Sequence, residues 1–254
     1  GGPVCGDDIP PVDYLSWYIP RLQEMRPHDL SQSGFEYDWN LNVDNQKMLD
    51  FWNSGANPAE WVASRYGVEV DQVCVTHGVC QAISLAILAA LPEDGPRAVG
   101  VEMPSFAVVS QCARLLGCDV IPFHRGPNSG EWRLDRDEVS EILPRVGVIA
   151  LTPVMNPTGE MIAQEDEDWL IEATLEAGVN IVSDEVYLDA AKGTEFYRPM
   201  HLRAENVISV NSLTKCYGLG PLRFGWAIGP ANMIQNVRNA FNNLRVWQVH
   251  LQWP

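Results

Sequence analysis

The chain is 254 residues long and 46% hydrophobic, with 33 acidic against 17 basic side chains and a formal net charge of -16. That is a globular composition, and its acidic balance argues against a nucleic-acid backbone or an anionic membrane surface, which are gripped by clustered Lys and Arg. Small molecules or other proteins are the expected partners.

Before about Asn45 the chain is rich in Pro, Trp and Tyr, with one expected helix near Val12–Met25, and reads as an arm or small subdomain. From Val73 onward, short apolar runs alternate with longer amphipathic ones. Val73–Thr76, Ala98–Glu102, Asp119–Phe123, Val146–Leu151, Val179–Ser183, Val207–Val210 and Phe224–Ile228 are predicted strands, being brief, rich in Val and Ile and bounded by Gly, Pro or charge. Helices are predicted between them at Val79–Leu91, Phe106–Leu116, Asp135–Leu143 and Glu165–Glu176. The alternation implies an α/β fold with a mostly parallel, seven-stranded sheet covered on both faces. Pro92–Pro96 and Gly126–Gly130 read as loops, and Ala231–Val249 carries apolar residues at helical spacing. A start without methionine and an end just after a helix suggest a piece of a longer protein.

Six cysteines (Cys5, Cys74, Cys80, Cys112, Cys118, Cys216) are few for this length and several lie in apolar runs, so reduced, partly buried thiols are expected. The longest apolar stretch, Ala82 to Leu91, falls short of the ~20 residues of a membrane span. A cytoplasmic location is the expectation.

In parallel sheets, ligands bind beyond the carboxyl ends of the strands. Thr76-His77-Gly78-Val79-Cys80 follows the first strand and opens a helix, whose free N–H groups suit a phosphate; alone, it is an ordinary turn with Gly78 at positive φ. Asn156-Pro157-Thr158-Gly159 alone is a turn, and Asp184-Glu185-Val186-Tyr187 alone is compatible with a solvated acidic loop. Ser212-Leu213-Thr214-Lys215 leads into Gly218-Leu219-Gly220-Pro221-Leu222-Arg223-Phe224-Gly225-Trp226. Together they offer a lysine for a Schiff base, a carboxylate for a pyridine nitrogen, donors for a phenolate oxygen and an anion site. That set fits pyridoxal phosphate.

The ordered combination of these motifs resembles the class I/II aminotransferases, fold type I pyridoxal-phosphate enzymes. The likeness runs from about Asp29 to the end, and Asp29-Leu30-Ser31-Gln32-Ser33-Gly34 resembles the start of the shorter members. The resemblance implies that Lys215 is the Schiff-base lysine and the proton carrier, that Asp184 pairs with the pyridinium nitrogen, and that Tyr187 and Asn156 hold the phenolate oxygen. Phe106 would stack on the ring. The phosphate would take the N–H groups of Val79 and Cys80, the Ser212 hydroxyl and the Arg223 guanidinium, with Gly78 at the turn. Gly34 and Asn156 would touch the substrate, and no metal is implied. It further implies an arm and part of a small domain at 1–45, a large cofactor-binding domain at 46–254, a C-terminal small domain outside this chain, and a homodimer acting on an amino acid and a 2-oxo acid.

The sequence departs from the family in three places. Cys80 stands where a hydroxyl residue is common, so looser cofactor binding is expected. Met48–Trp61 offers Phe51, Trp52 and Trp61 but no tyrosine for a cross-subunit phosphate contact. The arginine that grips the substrate carboxylate is expected beyond residue 254.

Other chemistries fit less well. A dinucleotide fingerprint begun at Gly218-Leu219-Gly220 fails at Arg223, and zinc at Cys74, His77 and Cys80 lacks a matching second cysteine pair. No Gly-x-Ser-x-Gly elbow occurs. The residues before the first strand are too few and too acidic for the helix-turn-helix of a regulator bearing such a domain. Within the cofactor class, a C–N or C–S lyase or an amino-acid cyclase remains open, as does a non-catalytic homologue, because these share the same carbanion-stabilising set.

Overall fold

The computed structural model describes residues 13–22, 33–35, 37–39, 44–128 and 130–244. Eight strands form one sheet: β1 (Val73–Thr76), β2 (Ala98–Met103), β3 (Asp119–Asn128), β4 (Glu131–Leu134), β5 (Val148–Leu151), β6 (Asn180–Asp184), β7 (Val207–Ser212) and β8 (Gly225–Ile228), ordered β1-β8-β7-β6-β5-β2-β3-β4. The β2–β3, β2–β5, β5–β6 and β6–β7 pairs are parallel, while β8 runs antiparallel to both β1 and β7. The mostly parallel α/β fold is as expected, with one more strand than predicted.

The extra strand lies just past the stretch read as a loop, part of which is itself strand. β3 continues through Gly126 and Pro127 and turns back, pairing Arg125–Asn128 with Glu131–Leu134. β4 reaches no further than Arg125, so Pro122 pairs with β2 alone, where a missing N–H is tolerated.

Eight α-helices accompany the sheet among the described residues: α1 (Asp13–Leu22), α2 (Asn45–Asn53), α3 (Pro58–Tyr66), α4 (Val79–Ala90), α5 (Ala107–Leu115), α6 (Arg136–Ile142), α7 (Gln164–Ala177) and α8 (Ala231–Leu244). The predicted extensions of α1 to Met25 and of α8 to Val249 lie outside the described residues. α2 and α3 were not foreseen. α3 nevertheless has plain start and stop signals: the Asn57 side chain accepts from Ala59 N at 3.0 Å, Pro58 takes the first turn, and Gly67 closes the helix at φ 69°.

Period-two alternation gives the central strands two buried faces. In β5, Val148 and Ala150 join one core, with α4, α5 and α8, while Ile149 and Leu151 join the other, with α6 and α7. α4 is apolar nearly all round because it lies between the sheet and two helices, burying Ala82, Ile83, Leu85, Ala86, Ile87 and Ala90. Each larger aliphatic chain among these contributes about 1.5–3 kcal/mol by burial. A third cluster seats α3 against Val73, Phe224, Trp226 and Ile228.

A buried ion pair fixes the exit of β5. Arg125 on β3 meets Glu102 on β2 at 3.0 Å and donates to the carbonyls of Thr152 and Pro153, while Thr152 N donates back to Glu102. The loop bearing Asn156 leaves from this anchor.

Candidate active site

Topology gathers the polar residues at one sheet edge. Thr76 and Ser212 both pair with Gly225, so β1 and β7 end where β8 begins, and β6 ends nearby at Asp184. From this edge the chain runs out to Gly78, Asn156, Tyr187 and Lys215 and returns through Arg223. Phe106 sits beyond the end of β2, as the N-cap of α5.

The start of α4 is bare backbone. Gly78, its N-cap at φ 87°, offers no side-chain cap, so the first-turn N–H groups of Val79 and Cys80 have no acceptor within the helix. A Cβ at Gly78 would collide with the Arg223 guanidinium, and a Cβ at Gly225 would lie 2.6 Å from the Gly78 carbonyl carbon. Two glycines thus let the backbone close up and lay a guanidinium, carried by Arg223 at φ 49°, over a helix N-terminus. Helix N–H groups and a guanidinium converging on one spot form an anion cradle. Ser212 lies at the end of β7, fully buried, where its hydroxyl accepts from Thr214 N at 3.3 Å.

Lys215 stands across this edge. Its Nζ donates to Ser33 Oγ at 2.7 Å and lies 5.9 Å from the centre of the Tyr187 ring. Burial holds the amine below its ordinary pKa, with Asp184 and then Cys80 opposing. Gly34 meets the lysine by backbone: Phe35 N donates to Lys215 O at 2.9 Å, and a Cβ on Gly34 would lie 3.5 Å from Thr214 O.

Asp184 ends β6 fully inside. Burial pushes its carboxyl up to about 7, against the Val186 N–H that it accepts and the charge of Lys215. Such a carboxylate is poised to accept a cationic neighbour. Glu185, next in sequence, is spent on structure: Oε1 accepts from Ser183, Ser209 and Met200 N at 3.2, 2.6 and 2.9 Å. Asn156 Nδ2 donates to Tyr187 Oη at 3.5 Å, linking the β5 and β6 exits. Burial, with Cys112 and Asp184 nearby, pushes the Cys80 thiol up, while Arg223 and Lys215 pull the other way.

A ring with an anionic arm and a protonatable nitrogen suits this donor set: the cradle at Gly78 and Arg223, a buried carboxylate wanting a cation, and an amine with lowered basicity. Pyridoxal phosphate has those features.

Two groups of residues were missed from sequence. Ser33 lies within the Asp29–Gly34 motif, but nothing local marks its hydroxyl for Lys215. Behind the lysine, Asp189 pairs with Arg65 at 2.9 Å and accepts from Tyr217 Oη at 3.0 Å and Asn211 Nδ2 at 3.4 Å. The one sequence signal for this cluster is the Arg65-Tyr66 pair closing α3.

The family described as "Aminotransferase class I and II" matches residues 57–253. The probable N-succinyldiaminopimelate aminotransferase of Mycobacterium tuberculosis is 28% identical over 186 residues, spanning 69% of this chain and 45% of that protein. A histidinol-phosphate aminotransferase of Synechococcus sp. is 25% identical over 242 residues, spanning 87% and 67% respectively. The aspartate aminotransferase of Thermus thermophilus, solved with maleate, superposes with a TM-score of 0.72 at 22% identity, covering 91% of this chain and 64% of that one, a likeness of fold. The chain therefore spans about half to two thirds of the length of these relatives.

Proposed function

The chain belongs to the class I and II aminotransferases, and on that premise we propose that it binds pyridoxal phosphate and moves an amino group from an amino acid to a 2-oxo acid through Lys215. The observation that carries this reading is the Lys215 amine, with its pKa lowered by burial, standing in the field of Asp184 at the edge that also holds the Gly78–Arg223 cradle.

When bound, the cofactor supplies an aldehyde carbon for the lysine amine and an electron-withdrawing cationic ring. The N–H groups of Val79 and Cys80 and the Arg223 guanidinium bind its phosphate. Asp184 holds the proton on the ring nitrogen. Asn156 and Tyr187 orient the ring through its oxygen, and Phe106 covers a face. Lys215 Nζ, as a free amine, would take the proton from the substrate Cα and hand it to the carbon that had been the cofactor's aldehyde carbon. Ser33 Oγ holds that nitrogen in place. Gly34 and Asn156 face the substrate side.

The relatives' names point to different amino compounds, so the reading stays with the class of small amino and 2-oxo acids. The protein is read as a cytoplasmic homodimer, and sedimentation would check the dimer. Mixing the loaded protein with a panel of amino acids tests the reaction. Matching 2-oxo acid and pyridoxamine phosphate are expected; ammonia or carbon dioxide instead would make it a lyase or decarboxylase.

A further inference from the structure

The segments carrying Lys215 and Tyr187 run side by side and are joined residue by residue. Lys215 Nζ lies 5.9 Å from the Tyr187 ring, Cys216 Sγ donates to Val186 O at 3.2 Å, and Tyr217 Oη donates to Asp189 Oδ2 at 3.0 Å. The last of these contacts is the strongest anchor. The Asp189 side chain is 2% exposed, and the same Oδ2 that receives Tyr217 also meets the Arg65 guanidinium from α3 at 2.9 Å. Asn211 Nδ2 on β7 reaches this oxygen at 3.4 Å and Tyr66 Oη at 3.4 Å. Arg65 also contacts Tyr217 Oη and lies 5.4 Å from the centre of its ring.

One buried carboxylate in the turn after β6 thus gathers groups from three other places: α3, β7 and the lysine loop. Tyr187 is two residues before Asp189, and Lys215 is two residues before Tyr217. A buried carboxylate that has lost a donor pulls its remaining neighbours inward or admits water, and either response displaces the segments it joins.

Resting on the cofactor reading above, we propose that Asp189, neutralised by Arg65, is a positioning residue: from behind the site it holds the Tyr187 hydroxyl and the Lys215 amine in register without touching cofactor or substrate. Its selective effect falls on the alignment of Tyr187 with the ring oxygen. A donor on that oxygen lowers the basicity of the conjugated nitrogen on Lys215, so misalignment raises it.

The test uses Tyr217→Phe, which deletes one hydroxyl, and Asp189→Asn, with Asn206→Ala as a structural control. Asn206 is buried and bonds Thr174 and Val179 O, away from this edge. Each protein is mixed with pyridoxal phosphate, its visible absorbance is titrated against pH, and its melting temperature is measured without cofactor. The proposal expects Tyr217→Phe and Asp189→Asn to raise the apparent pKa of the Lys215-linked band, while Asn206→Ala lowers the melting temperature and leaves that pKa at the wild-type value. An unchanged pKa in Tyr217→Phe overturns the proposal, whether or not Asp189→Asn folds. So does an equal shift in Asn206→Ala. If the wild-type protein forms no Lys215-linked band, the cofactor reading fails and takes this inference with it.

Discussion

The Lys215 amine donates to the Ser33 hydroxyl at 2.7 Å across 182 residues of sequence. Residues 33–35 and 37–39 are thereby laid against the lysine loop, where Phe35 N on Lys215 O and Trp39 Nε1 on Tyr217 O, both hydrogen bonds, fasten them. A hydroxyl accepting from the amine favours the charged form, opposing the effect of burial.

Removing that acceptor therefore lowers the lysine pKa further. A hydrogen bond of about 1 kcal/mol corresponds to roughly fivefold in the protonation equilibrium. Ser33→Ala is expected to shift the pH profile of pyridoxal phosphate attachment toward lower pH while attachment stays at Lys215. Stopped-flow absorbance across a pH series reads it, and a superimposable profile would mean that the hydroxyl does not act on the amine.

Asp184 sets a pH dependence whose sign follows from burial. Its carboxyl is raised from 3.8 to about 7 in the folded chain, so between those values the folded state holds a proton that the unfolded state has released. Stability from this group is full below the lower value and is lost as pH rises through the upper one. Without cofactor, Asp184→Asn should melt several degrees higher than wild type at pH 8 and show a shallower decline with pH. Glu102 and Glu185, raised to about 7 and about 8, keep part of that decline. With pyridoxal phosphate the order reverses, because only the wild type has a carboxylate for the ring nitrogen. Calorimetry in both conditions checks this, and an Asn variant stabilised equally by the cofactor would remove Asp184 from the site.

The Gly78–Arg223 contact predicts a selective loss. Charged hydrogen bonds contribute about 1.5–3 kcal/mol, or roughly ten- to a hundredfold in Kd. Arg223→Gln should weaken pyridoxal phosphate by that factor and leave pyridoxal, which lacks the phosphate, nearly unchanged. Gly78→Ala, which places a Cβ 3.0 Å from Arg223 Cζ at φ 87°, should show the same selectivity and also melt lower. Equal weakening of both ligands would show that the cradle does not bind the phosphate.

Much of the sheet was legible because its strands are short β-branched runs with sharp borders. Val73–Thr76 was read with its observed bounds, whereas β7 runs on to Ser212, two polar residues past the apolar signal. β4 was hidden because Gly126-Pro127 reads as a breaker, and only the register of the hairpin shows how a strand carries it. α3 was hidden because nine residues with Trp61 exposed give a weak apolar stripe, although Asn57-Pro58 marked its start. In the site, Lys215, Asp184 and Arg223 stood out because cofactor chemistry demands their types at strand ends. Ser33 and Asp189 did not, because their contacts span 182 and 28 residues and a short polar side chain leaves no periodic trace.

The most direct test is borohydride reduction of the purified chain with pyridoxal phosphate, followed by peptide mass mapping, with circular dichroism to verify folding. A reduced cofactor adduct is expected on Lys215 alone, absent from Lys215→Ala. A folded chain with no adduct, or with adducts spread over Lys47 and Lys192 as readily as Lys215, would contradict it.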